Sequence, residues 1–105
     1  MKYFTTDLYG VTLVDPDADQ RLDVLETSED SVGEDYPDVY LTVVGAEPVL
    51  GYRKGGYLLW EEGGEVTRYL GQVDTREAAR IWSLLVHGEV AALEKLPWEM
   101  ADAED

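Results

Sequence analysis

The sequence predicts an α+β domain, an antiparallel β-meander of four to six strands packed by a short N-terminal helix and a C-terminal helix. Three observations carry this. Four short segments rich in Val, Leu, Tyr and Thr follow one another after Val39, separated by Gly-rich connections of a few residues. Ala78, Ile81, Trp82 and Leu85 then recur at helical spacing and form one apolar stripe. The chain has 105 residues with 45% hydrophobic residues, enough for one domain, taken as 1–105, with one modest core.

The elements follow in order. Tyr3 to Val14 is strand-like, and Gly10 inside it marks either a bend or a short hairpin. Asp15-Pro16-Asp17 ends that segment, because the ring of Pro16 keeps Asp15 extended. Asp17 to Glu26 reads as a short helix with Leu22 and Leu25 on one face, Ala18 a candidate third member, and with carboxylates in the first turn. Residues 28–38 read as an acidic loop. The strands of the meander are Val39–Val44, Val49–Arg53, Tyr57–Glu61 and Val66–Leu70. Gly55-Gly56 and Gly63-Gly64 read as hairpin turns; they lack the strand–loop–helix setting and the Lys-Ser/Thr pair of a phosphate loop. Asp74, three residues before Glu77, opens the last long helix, and Gly88 after His87 closes it. Another turn of helix is expected between Val90 and Leu96, and residues 99–105 form an acidic, frayed tail.

Charge is the chain's strongest compositional signal. The formal net charge is −15, and ten carboxylates with one base, Arg21, lie between Asp15 and Asp38. This sign disfavours nucleic acid and anionic membrane as partners and favours a basic protein. The absence of cysteine excludes disulfides, thiolate metal sites and thiol nucleophiles. No apolar run is long enough to span a bilayer, and Met1 to Asp7 has no signal-peptide pattern, so a cytoplasmic protein is expected.

Several patterns invite a chemical reading. Asp15, Asp17, Asp19, Asp23 and Glu26 fall at positions 1, 3, 5, 9 and 12 of a calcium loop, but Gln20 stands where that loop needs glycine. An acidic helix start explains the same residues, and no metal or other cofactor is expected. Paired carboxylates such as Glu61-Glu62 read as solvated charge rather than as an acid–base pair, and the lone His87 reads as a helix-end residue. No catalytic residue, and no enzyme, is expected. In the third strand of the meander, Tyr57, Leu59 and Glu61 share one face and Leu58, Trp60 and Glu62 the other. Helices cover only one face, so some aromatics should be exposed among acids. The expected partner-binding set is Glu29, Asp30, Glu34, Asp35, Tyr36, Asp38, Trp60, Glu61 and Glu62.

Asp38-Val39-Tyr40-Leu41-Thr42, the two Gly-Gly turns, the helix opened by Asp74 and Glu77, and the late Leu96-Pro97-Trp98-Glu99 together carry a resemblance. Over residues 38–99 the chain resembles small acidic immunity proteins of bacterial polymorphic toxin systems, in particular those ending in a Pro-then-Trp element. The resemblance implies a non-enzymatic, stoichiometric inhibitor that binds a cognate toxin, often a basic enzyme, and blocks its active site. It also implies a structural anchoring role for Trp98. The alternatives are an acidic decoy that mimics DNA, a calcium-responsive module, and an acidic domain whose charge serves solubility alone.

Overall fold

The computed structural model describes residues 2–30, 38–45 and 48–100. Of the expected acidic loop, Glu34, Asp35 and Tyr36 lie outside the described residues, as does the tail beyond Met100.

Among the described residues, seven antiparallel strands form one sheet. They are β1 (Tyr3–Thr6), β2 (Thr12–Val14), β3 (Val39–Val43), β4 (Val49–Arg53), β5 (Tyr57–Glu62), β6 (Glu65–Leu70) and β7 (Glu99–Met100). The spatial order is β2-β1-β3-β4-β5-β6-β7. The helices are α1 (Ala18–Thr27), α2 (Thr75–Val86) and α3 (Val90–Glu94), with a 3-10 turn over Ser28–Asp30. The α+β class is as the sequence predicts, but the sheet is wider. Tyr3 to Val14 forms a hairpin, whose loop is held by the Asp7 carboxylate accepting from Tyr9 N and Val11 N, each at 2.9 Å. The seventh strand corrects the expectation of a tail frayed from residue 99. Glu99 pairs with Tyr69 and Met100 with Arg68.

Local chemistry sets the element ends. Asp17 caps α1 by accepting from Gln20 N, while Gln20 Oε1 accepts from Asp17 N, both at 2.9 Å. The residue that spoils the calcium-loop pattern therefore has a structural task. Asp74 caps α2 by accepting from Glu77 N at 2.8 Å, and His87 is its C-cap. Glu62 and Glu65 pair across Gly63-Gly64, where φ is +61° and +84°. Two successive positive φ angles suit the right-handed twist of a tight hairpin, and glycine adopts them without strain.

Register places the core. Leu41, Leu50 and Trp60 lie side by side across β3, β4 and β5, and Val39, Tyr52, Leu58 and Leu70 form the neighbouring row across β3 to β6. These residues face Val24 and Leu25 of α1, Ala78, Ile81, Trp82 and Leu85 of α2, and Leu93 of α3 in one buried cluster. The stripe on α2 is the one the sequence shows. That on α1 differs: Arg21, Val24 and Leu25 are buried, Leu22 is half-buried and Ala18 is exposed. Arg21 begins the stripe because its guanidinium finds polar partners inside. It donates to Pro16 O at 2.9 Å, Tyr3 Oη at 3.1 Å and Ser83 Oγ at 3.3 Å.

Candidate functional site

The helices cover one face of the sheet and leave the other open. Along the open face a cross-strand row runs Glu99, Tyr69, Leu59, Gly51, Tyr40 and Thr6, from β7 to β1. Leu59 belongs to this face, outside the main core, yet is only 4% exposed. Its neighbours bury it. A Cβ built on Gly51 would come within 3.0 Å of Tyr40 Cε1 and 3.5 Å of Leu59 Cβ. The missing side chain thus makes room for the Tyr40 ring to lie across β4 toward β5.

That placement gathers a polar cluster. Arg53 is held by Asp38 through two hydrogen bonds, Nε to Oδ1 at 2.8 Å and Nη2 to Oδ2 at 3.1 Å. The Tyr40 hydroxyl donates to Asp38 Oδ2 at 3.3 Å and also reaches Glu61. Burial pushes the Tyr40 phenol far above its ordinary pKa, and the charges of Asp38 and Glu61 push it further. Burial raises the Glu61 carboxyl too, opposed by the Tyr40 hydrogen bond and by Arg53 and reinforced by the charge of Asp38.

Beside this cluster a groove of about 400 Å³ is lined by Arg53, Tyr57, Leu59, Val66 and Tyr69. Tyr57 is 45% exposed at its lip. On the other side of Tyr57 lies a second, more polar hollow of about 400 Å³, lined by Gly55, Tyr57, Gly71, Gln72 and Glu99. Glu99 links the two, since its Oε1 accepts from the Tyr69 hydroxyl at 3.4 Å. The nearby carboxylate is the main reason that the Tyr69 phenol is shifted upward.

The residues expected to bind a partner separate into distinct places. Asp38 and Glu61 meet on the open face, as part of the Tyr40–Arg53 cluster. The Asp38 side chain is only 9% exposed, because the pairing with Arg53 turns it inward. Trp60 is corrected from a surface aromatic to a core residue at 2% exposure. It lies on the helix-covered face, under the Arg68 guanidinium at 4.5 Å and edge-on to Trp98 at 5.2 Å. Glu62 is exposed and accepts from Trp60 Nε1 at 3.0 Å, so it supports the core. Trp98 is a structural anchor, and its own Nε1 donates to Leu93 O at 2.8 Å. Glu29 is exposed in the 3-10 turn and shares a hollow with Tyr52, Lys54 and Asp74, away from the open-face groove. Asp30 ends that turn.

Sequence reasoning missed Tyr40, Tyr57, Tyr69, Arg53 and Glu99 as parts of one surface. The signal was the alternation that set Tyr57, Leu59 and Glu61 apart from Trp60, with Gly51 as the gap admitting Tyr40. Among the described residues, no group of three or more His, Cys, Asp or Glu could hold a metal ion. Among the same residues, no helix is long and apolar enough to cross a membrane. No protein-family model matches this chain, and no curated protein or solved structure matches it.

Proposed function

We propose that this protein is a non-enzymatic inhibitor of the immunity type, which binds and neutralises a basic toxin domain through the open face of its sheet. One observation carries the reading. An aromatic and aliphatic groove, with Tyr57 at its lip and Leu59 at its floor, lies uncovered by the described residues between Glu61 and Glu99 in a chain of net charge −15. Uncovered apolar patches bounded by polar residues are the usual form of a protein-docking site. Tyrosines with few rotatable bonds are efficient anchors there. The surrounding carboxylates supply attraction to a basic partner and raise the rate of encounter. The Tyr40 hydroxyl is held protonated and Asp38 is tied to Arg53, an arrangement that suits a rigid surface better than proton transfer.

The test is whether a neighbouring gene encodes a toxin-like domain, followed by co-expression with that domain and association kinetics at low and physiological salt. Rescue of growth, with an association rate that falls as salt rises, supports the reading. Failure to rescue growth, or a rate indifferent to salt, refutes it.

A further inference from the structure

The open face contains, beyond a general docking surface, a place for one particular side chain. Tyr57 stands between two hollows of different character. Its partner across the sheet on β4 is Arg53, whose guanidinium is already held by Asp38. Its other side borders the hollow that contains Glu99 and Gln72, and no Lys or Arg lines that hollow. Glycines keep it open: a Cβ on Gly55 would approach Tyr57 Cε2 at 3.5 Å, and one on Gly71 would approach Cε1 at 3.8 Å. Aromatic ring, carboxylate and amide therefore line one hollow of about 400 Å³.

We infer that this hollow is a subsite for an arginine side chain of the basic partner, with the guanidinium stacked on Tyr57 and paired with Glu99. The inference rests on the proposed docking function and names what that surface recognises. Charge complementarity selects a cation, because Glu99 is an exposed carboxylate in a strongly acidic chain. The ring selects the planar cation, because a guanidinium can stack on tyrosine and still present a fork of N–H donors to a carboxylate. Lysine offers a compact point charge without that plane. The molecule already uses the chemistry within itself: Arg68 lies over Trp60 at 4.5 Å, and Arg53 makes a forked pair with Asp38. A neighbouring apolar residue of the partner would enter the groove over Leu59 and Val66.

The test uses the whole chain and N-acetyl-arginine amide, followed by amide chemical shifts in NMR. N-acetyl-citrulline amide, neutral and of similar shape, and N-acetyl-lysine amide are the controls. The expected result is shifts centred on Gly55, Tyr57, Gly71, Gln72 and Glu99. Binding should be about threefold to tenfold weaker for citrulline, for lysine, and for arginine with Glu99→Gln or Tyr57→Ala. Unchanged Arg68 and Tyr69 amide shifts in the free variants would establish that the pairing of β6 with β7 survives. Equal binding of arginine and citrulline overturns the inference, as do equal lysine binding and shifts that persist in both variants. The docking function fails separately. If arginine binds as expected but the toxin domain does not, the subsite stands and the inhibitor reading falls. If the toxin domain binds Glu99→Gln like wild type but loses affinity for Tyr57→Ala, the inhibitor reading stands and the arginine subsite is overturned.

Discussion

Replacing Gly51 by alanine puts a methyl group where the Tyr40 ring now lies. The new carbon would sit 3.0 Å from Tyr40 Cε1, 3.2 Å from Cδ1 and 3.5 Å from Leu59 Cβ. The first two contacts are too short, so the ring must move. Gly51 has ordinary extended geometry, so alanine meets no backbone strain there and gains about 0.5–1 kcal/mol from the smaller entropy of its unfolded chain. Crowding a packed site opposes this by about 1–3 kcal/mol. The net expectation is a loss of about 0.5–2 kcal/mol, or roughly 3–10 °C in melting temperature for a domain of this size. A second readout is specific to the geometry. A shift of the Tyr40 ring weakens a hydrogen bond that holds the Glu61 pKa down, so Glu61, already raised by burial, should titrate higher in Gly51→Ala. Thermal melts and side-chain carboxyl NMR measure the two effects. Placed on a Tyr40→Ala background, the same substitution should become neutral or stabilising. Full stability of Gly51→Ala in the wild-type background, with Glu61 unmoved, would refute the claim that Tyr40 is seated on the glycine.

Other expectations follow from the same geometry. Trp98→Ala removes the edge-on contact with Trp60 and the hydrogen bond to Leu93 O, and should cost about 2–3 kcal/mol by urea denaturation. Wild-type stability would place β7 and its anchor outside the cooperative unit. Arg21→Ala should lose about 2 kcal/mol with its three hydrogen bonds and buried stem, and Arg21→Met, which keeps the packing, should lose less than half of that. Equal losses would assign the effect to hydrogen bonding alone. For Glu61 the folded pKa is raised, so the folded state holds its proton to higher pH than the unfolded chain does. Stability should therefore fall as pH rises from the ordinary glutamate range through the raised value, and Glu61→Gln should flatten that slope. Denaturation curves at stepped pH check it, and identical slopes for the two proteins would contradict it.

What the sequence discloses is mostly local. Asp74 with Glu77 and the Gly63-Gly64 turn each act over a few residues, and each reads correctly from its spacing; Asp17 with Gln20 is as local, but only the acidic helix start is read there. The stripe on α2 is legible for the same reason. Long-range pairing is not. β7 has two residues, too few to show an alternation, and only its pairing with Arg68 and Tyr69 makes it a strand. Alternation divides β5 into two faces but cannot say which one the helices cover. Trp60 is enclosed because Arg68 and Trp98 arrive from β6 and from the segment before β7. Asp38 looks like free surface charge until register brings Arg53, fifteen residues later, alongside it. The buried face of α1 is not legible because it begins at Arg21, a charge whose partners, Tyr3 and Ser83, are remote in sequence.

The proposed function places the partner on the open sheet face. The most direct measurement compares the affinity of the basic toxin domain for wild type, Tyr57→Ala and Tyr9→Ala. Tyr57 is 45% exposed beside the groove, and Tyr9 is 66% exposed at the tip of the first hairpin. If that face meets the partner, Tyr57→Ala weakens binding about tenfold or more while Tyr9→Ala leaves it unchanged. Wild-type affinity in Tyr57→Ala, with the loss falling on Tyr9→Ala instead, would contradict it.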